Sequence, residues 1–579
     1  MRFDLRVKNW QSYIPIVEVA NRYRREDFSH DLIAGLVVGV ITVPQAVAYA
    51  FLAGLPAQAG LYACLTPMVI YAFLGSSRHL VVGPVAIAAL MVAATIARHA
   101  PEYGDAYLGI TTVLCLQAGI FLWLLRLSQM GGLVNLLSHP VITGFVNAAA
   151  ILIIISQLSA LTGISSSSEA DALTNLLALS RDFLNFNPAT LVIGIVCLLG
   201  LWLIPRYSLS LLKLINVDVP ADHPLSRIGP MLVASLATAI VALWNLDDQF
   251  QVAVVGFVPS GLPSFTLPPF SWSMWTDLAP ASAAIAVVSY VESFSIGTTL
   301  ATRERTRINS HQELIALGAA NIGAAFTGAY PVAGSFSRSS VNYQAGGRTP
   351  VSSLVCAALI IVTLLYLTPL FAALPHAALA AIVVVSVVGI IDFDSVRRHW
   401  RVYREDSITE LATLLTVLAV GVETGLITGV ALSIAFFIRK SSRPNIAIVG
   451  RVANTAHFRS ARRYDVETFP HVAAIRIDEN IYFGNTHQVE NKLLKIIQRR
   501  PGTKHVLLVC SAVNMIDNSG LEMLYRINQN LDRMGIKLHL AEVKTPVMAQ
   551  LEATDFVMKM TGSVFFTTDQ AMKDLSERT

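Results

Sequence analysis

The sequence predicts a helical membrane domain that crosses the bilayer many times, followed by a small α/β domain. The chain of 579 residues is 54% hydrophobic and only 14% charged, with a mean hydropathy of +0.58, far from the balance of a soluble globular protein. The imbalance is also local. From about Asp31 to Arg439 apolar runs of roughly 20 residues recur, long enough to cross a hydrocarbon core about 30 Å thick, and beyond Arg439 they stop.

The clear spans are Leu32 to Leu55, Leu108 to Leu125, Val141 to Leu161, Leu191 to Ile204, Ile228 to Trp244, Leu278 to Leu300, Val351 to Leu370 and Ala377 to Ile391, with Ile408 to Ile438 long enough for two helices turning near Gly421 to Gly425. Leu61 to Leu74, Gly83 to Ala97 and Leu314 to Ala329 are short or interrupted by glycine and proline. Hydropathy alone gives roughly ten to thirteen spans. Orientation follows from charge. Arg22, Arg24 and Arg25 precede the first span; Arg303, Arg305 and Arg307, then Arg397, Arg398, Arg401 and Arg404, and finally Arg439 and Lys440 follow later ones. These clusters belong on the cytoplasmic side. No Lys or Arg lies between Arg227 and Arg303, which suits a pair of helices joined by an outside loop, so both termini are expected inside and the number of spans even.

Met1 to His30 mixes charges without an apolar stretch, so no cleaved signal is expected. Cys64, Cys115, Cys197, Cys356 and Cys510 are scattered singly and read as packing residues, with neither a disulfide framework nor a metal site. The formal charge of +4 is accounted for by the arginine clusters and calls for no nucleic acid.

Three features in the apolar part point to a site. Pro44 lies inside the first span, where it is expected to kink or break the helix, and Thr42, Gln45 and Tyr49 form one polar face around it. Leu80 to Ala86 and Tyr330 to Phe336 each run an extended stretch through glycine into a short helical segment; such interrupted segments in corresponding halves point to a transporter site at a repeat interface. Two helix N-termini meeting near mid-membrane aim free N–H groups at the gap and attract an anion. Arg338 adds a full charge and Ser335 and Ser337 add hydroxyl donors; an ionisable group at that depth is functional by default. Ser289, Glu292 and Ser293 form a polar stripe on the Leu278 helix. Glu292 has two useful states, ionised beside Arg338 and neutral when a proton replaces that pairing, and so is expected to couple proton uptake to anion uptake, with a fixed counter-ion as the alternative.

Residues 441–470 read as a basic, irregular linker. Beyond it Val472 to Ile477, His505 to Val509 and Ile536 to Ala541 read as strands, and Thr486 to Arg499, Ser519 to Met534 and Thr568 to Leu575 as helices. Asp517-Asn518-Ser519-Gly520 sits between strand and helix, where Asn518 or Ser519 is expected to cap the helix and Asp517 to hold the turn. The expected organisation is therefore 1–30 cytoplasmic segment, 31–440 membrane domain, 441–470 linker and 471–579 α/β domain.

Pro44-Gln45-Ala46-Val47-Ala48-Tyr49-Ala50-Phe51-Leu52-Ala53-Gly54-Leu55-Pro56 through Gly60-Leu61-Tyr62, and Gly334-Ser335-Phe336-Ser337-Arg338-Ser339-Ser340-Val341-Asn342-Tyr343-Gln344-Ala345-Gly346, resemble the sulfate permease (SulP) family of anion transporters, and the tail resembles that family's STAS domain. The resemblance implies fourteen transmembrane helices arranged as two seven-helix inverted repeats, a mobile core and a gate, moving in an elevator-like shift and commonly as a homodimer. It places the substrate between half-helices three and ten: Gln45 and Tyr49 line it from helix one, Pro84 and Val85 open helix three, and Ser335, Phe336, Ser337 and Arg338 open helix ten. Glu292 matches the acidic position on helix eight used for cation coupling, usually by protons in sulfate carriers and by sodium in cyanobacterial bicarbonate carriers. In anti-sigma antagonists of this tail fold the phosphorylated serine directly follows the motif aspartate; here Asn518 stands there and a serine follows only at Ser519, so a docking or dimer-supporting role, with a cytoplasmic regulator as partner, is the safer assignment.

The expected function is import of an oxyanion through the cell membrane, sulfate with protons, without cofactor, metal or enzymatic activity. Bicarbonate or a C4-dicarboxylate, driven by protons or sodium, is the alternative substrate; a passive channel or exchanger, or an anion sensor signalling through the STAS domain, is the alternative of another class. A neutral nucleobase is disfavoured because it gives Arg338 no partner.

Overall fold

The computed structural model describes residues 14–103, 107–128, 138–164, 185–214 and 229–577. Residues 1–13 of the expected amino-terminal segment, together with Arg227 and Ile228, lie outside the described residues. The chain divides between Ser433 and Ile434 into two compact units.

Apart from the short helices Ile16–Arg22, Leu246–Phe250 and Asp394–Val402, the described residues of the membrane part form fourteen helical segments: α1 (Arg25–Leu52), α2 (Ala57–Leu74), α3 (Ala86–Tyr103), α4 (Tyr107–Leu127), α5 (His139–Thr162), α6 (Pro188–Leu214), α7 (Gly229–Trp244), α8 (Trp272–Arg303), α9 (Ser310–Ala325), α10 (Phe336–Gln344), α11 (Val351–Phe371), α12 (His376–Val388), α13 (Arg404–Ala419) and α14 (Val422–Ser441). α10 has nine residues, about 14 Å at 1.5 Å per residue, less than half the hydrocarbon thickness. The extended stretch before it supplies the rest of the crossing. α3 follows a similar stretch, and the third and tenth segments hold corresponding places in two successive sevens.

One difference from the sequence expectation has a physical cause, and one expectation holds. α1 runs unbroken through Pro44; its surroundings are buried on every side from Ile41 to Ala50, and packed neighbours let a membrane helix absorb a proline. The expected turn between the last two helices falls at Gly421, whose φ of +129° only glycine adopts readily. α1, α2, α4, α8, α9, α10 and α11 pack mainly on one another, α5, α6, α7, α12 and α13 form a second group, and α1 against α12 is a principal seam between the groups. One continuous apolar core fills the domain.

The second unit is a six-stranded sheet of order β4-β3-β5-β6-β7-β8, where β3 is Ile446–Arg451, β4 Phe458–Ser460, β5 Val472–Ile477, β6 His505–Val509, β7 Lys537–Ala541 and β8 Val564–Phe565. β5 to β8 are parallel and β3 is antiparallel to β5. Helices Thr486–Gln498 and Asn518–Arg533 cover one face through Val489, Leu493, Met523, Leu524 and Ile527, and Thr568–Glu577 covers the other through Ala571, Met572 and Leu575. The stretch 441–470, expected as an irregular linker, contributes β3 and β4, because Ile446 and Ile448 pair with Ile477 and Ile475 at the edge of the parallel strands. The cap of Asn518–Arg533 is Asp517 rather than Asn518 or Ser519. Its Oδ1 accepts from Gly520 N–H at 2.8 Å and its Oδ2 from Phe483 N–H at 2.8 Å, so one carboxylate caps the helix and pins the neighbouring loop.

Candidate functional site

The two extended stretches meet as a short antiparallel pair: β1 (Val82–Gly83) lies against β2 (Ala333–Gly334), with Val82 opposite Gly334 and Gly83 opposite Ala333. Buried non-helical backbone at membrane depth needs every polar group met from within the protein. Ser335 N–H donates to Val81 O at 3.1 Å. Ser293 Oγ accepts from Gly334 N–H at 2.7 Å while donating to Ser289 O at 2.6 Å. Asn321 brackets Val332, donating to its carbonyl at 3.2 Å and accepting from its N–H at 3.0 Å. Ser339 Oγ accepts from Val81 N–H at 2.9 Å, and Asn342 Nδ2 donates to His79 O at 3.2 Å. Asn321, Ser339 and Asn342 were not singled out from the sequence; isolated buried amides and hydroxyls in apolar helices were the available signal.

Arg338 lies in the first turn of α10 and is fully buried. It reaches back to the start of the other half-helix, where Nη2 donates to Pro84 O at 2.8 Å. Its Nε and Nη1 are buried and have no hydrogen-bond partner. A Cβ on Gly83 would stand 3.1 Å from Nη2, so glycine there leaves room for the guanidinium. Glu292 presents Oε2 to the interior, also buried and without a partner. The expected Glu292–Arg338 ion pair is not made: no contact within 4 Å joins them, and Glu292 Oε2 and Arg338 Nε and Nη1 stay without partners. Arg338 is directed instead to Pro84 O at the start of the other half-helix.

The remaining predicted residues surround this pair to different degrees. Tyr49 is buried on α1, in range of Arg338 and Glu292, with its hydroxyl toward Ser386 of α12. Gln45, one turn earlier, is buried with Oε1 unpartnered. Thr42 of the same face instead donates to Val38 O and packs beside Cys356. Pro84 contributes its carbonyl, whereas Val85 packs with Ala88 and Ala333 in a small apolar cluster. Ser335 is the buried N-cap of α10, Ser337 is half-buried, and Phe336, the first residue of α10, is 53% exposed. Tyr330, fully buried with an unpartnered hydroxyl and in range of Arg338, was missed from the sequence. All five cysteines are buried and free. In the second unit Asn518 is exposed and Ser519 half-buried beside the capping Asp517.

The half-helix starts thus hold a guanidinium with two unpartnered donors and, on α8, a carboxylate oxygen without a donor, the groups that a small polar guest would engage. The profile described as the sulfate permease family matches residues 28–413, and that of the STAS domain matches residues 463–571. The chain belongs to the sulfate permease family. Among its relatives, the probable sulfate transporter 4.2 of Arabidopsis thaliana is 34% identical, over 93% of this chain and 79% of that protein. The probable sulfate transporter MT1781 of Mycobacterium tuberculosis is 31% identical, over 98% of both. Murine solute carrier 26 family member A9, an anion transporter solved in the inward-facing state, superposes with a TM-score of 0.90 at 23% identity, over 100% of this chain and 96% of that one. This sulfate permease family member is thus a membrane-embedded, multi-pass chain with a C-terminal STAS domain, and its family is one of transporters rather than enzymes.

Proposed function

We propose that this protein is a secondary active importer of sulfate, driven by protons. The observation that carries the reading is Arg338: a cation with no exposed surface whose Nε and Nη1 have no partner. Burying two charged donors without acceptors is costly, and an oxyanion whose edge accepts both offsets that cost. Sulfate offers such an edge and enough charge to be held by the free N–H groups of α3 and α10 as well. Ser335 and Ser337 supply further donors, Tyr49, Gln45 and Phe336 close the sides, and Pro84 O fixes the third guanidinium nitrogen so that the other two are aimed.

Glu292 is the proton carrier in this mechanism. Its inner oxygen has no donor, and a proton taken up by the carboxylate when the anion engages Arg338 leaves the loaded site with one net negative charge instead of the two that sulfate alone would leave. Movement of the group α1–α4 and α8–α11, which holds the crossing, against the group α5–α7, α12 and α13 then carries both guests across, an elevator-like exchange of access. The names of the plant and mycobacterial relatives favour sulfate over bicarbonate.

The test is uptake of radiolabelled sulfate into proteoliposomes under an imposed proton or sodium gradient, for the wild type and Arg338→Ala. Proton-driven accumulation lost in the variant is expected. Sulfate accumulation driven only by sodium overturns the coupling, and bicarbonate accumulation without sulfate accumulation overturns the substrate.

A further inference from the structure

Between α12 and α13 the chain forms a nine-residue helix, Asp394–Val402, that belongs to neither. Its inner side is fixed to the domain. Ser395 is fully buried and donates to Asp392 O at 2.7 Å and to Glu410; His399 Nδ1 stands 2.7 Å from Glu410 Oε2; and Glu410 is itself fully buried on α13. Asn147 of α5 holds both backbone groups of Asp392 at 2.9 and 2.8 Å. The helix therefore has a set rotation. At 100° per residue Phe393, Arg397, Trp400 and Arg401 lie opposite Ser395 and His399. Phe393 is 56% and Trp400 49% exposed, and both arginines are exposed. Arg404, the first residue of α13, is exposed as well. Arg398 has Asp392 as partner, but Arg397, Arg401 and Arg404 have no ion-pair partner among the described residues.

A connection between two successive apolar helices lies where the bilayer meets water. An arginine-bearing helix that adds aromatic rings to the same outer face has the composition of an interfacial segment: rings at the headgroup level, guanidinium groups at the phosphates. We infer that the Phe393–Arg397–Trp400–Arg401 face is a binding site for acidic phospholipids of the surrounding bilayer. The occupant is a lipid rather than a free anion because the arginines stand beside two exposed aromatic rings, which a free phosphate would leave in water. The buried Ser395–Glu410–His399 contacts hold the helix rigid, so the ordering cost of binding is already met by the fold.

The test reads lipid contact rather than transport. The full chain is reconstituted in phosphatidylcholine containing phosphatidylglycerol, with bromine on the acyl chains of one lipid at a time, and the contribution of Trp400 is obtained as wild type minus Trp400→Phe. Brominated phosphatidylglycerol is expected to quench Trp400 more than brominated phosphatidylcholine at equal mole fraction. That preference should fall about five-fold for each arginine neutralised in Arg397→Gln and Arg401→Gln, persist in the Arg→Lys pair, and weaken with salt. Equal quenching by the two lipids, no quenching by either because protein covers the face, or displacement by inorganic phosphate at matched ionic strength overturns the inference.

Discussion

Two glutamates on consecutive helices, the half-buried Glu292 on α8 and the buried Glu313 on α9, are opposites in the structure. Glu313 is 1% exposed, and its carboxylate accepts from Tyr71 Oη at 2.7 Å, Ser76 N–H at 2.9 Å and Ser76 Oγ at 2.7 Å. Both oxygens are used, and the loop that leads into β1 is pinned by them. Glu292 keeps Oε2 buried with nothing to accept from. Burial of a charge in a membrane protein therefore does not by itself mark function; at Glu292 it is the carboxylate oxygen left without a donor that sets it apart from Glu313. The arginines divide in the same way: Arg348 and Arg98 hold Asp27 and Glu423 at 3.0 and 2.8 Å, whereas Arg338 keeps two donors idle.

That division is open to direct attack. The largest effect is expected at Arg338→Ala, which should reduce sulfate uptake to the protein-free background while the purified protein keeps its thermal stability within about 2 kcal/mol; an active variant would place the guest elsewhere. Next, Glu292→Gln should abolish the stimulation of uptake by an inward proton gradient but leave sulfate–sulfate exchange, measured as tracer efflux against external sulfate. A variant that still accumulates sulfate under the gradient removes Glu292 from the coupling. Glu313→Ala should do the reverse, leaving the gradient response in the protein that folds and lowering stability by roughly 3 kcal/mol, since it strands the Tyr71 and Ser76 donors. Thermal unfolding in detergent followed by uptake at matched protein amount separates the two.

Smaller effects sharpen the same contrast. Ser293→Ala removes the acceptor of Gly334 N–H and should cost on the order of 1–3 kcal/mol, again visible in thermal unfolding, with Ser293→Thr as the retaining control. In the STAS domain burial pushes the Cys510 thiol up to about 12. It stays protonated at pH 8, well below that value, and should resist alkylation until the domain unfolds. Alkylation at the rate of a free thiol, followed by mass spectrometry, would show that the sheet opens around it.

Much of the fold was legible in the sequence because its signals are local. Apolar runs marked the membrane helices, the strands Val472–Ile477 and His505–Val509 fell where alternation and β-branched residues placed them, and the glycine- and proline-broken stretches at 80–86 and 330–336 marked the crossing. β3 and β4 were missed because Ile446–Arg451 becomes a strand only by pairing with β5, and the helix Thr545–Glu552 because it is short and weakly patterned. At the site, residue types in Gly334 to Ser340 announced an anion, but Asn321, Asn342 and Tyr330 carry no such signature on their own.

By itself the sequence determined that this chain lives in a membrane, that it ends in an α/β domain, and that an arginine sits at an interrupted helix where an anion is the natural guest, since hydropathy, periodicity and helix-breaking residues act over a few turns. Which carboxylate is spent on structure and which is left idle, and whether Arg338 meets Glu292 or the carbonyl of Pro84, was decided only by the tertiary structure. Those outcomes depend on groups some 40 to 260 positions apart in the chain reaching hydrogen-bonding distance, and hydrogen bonds vanish within a fraction of an ångström of misplacement.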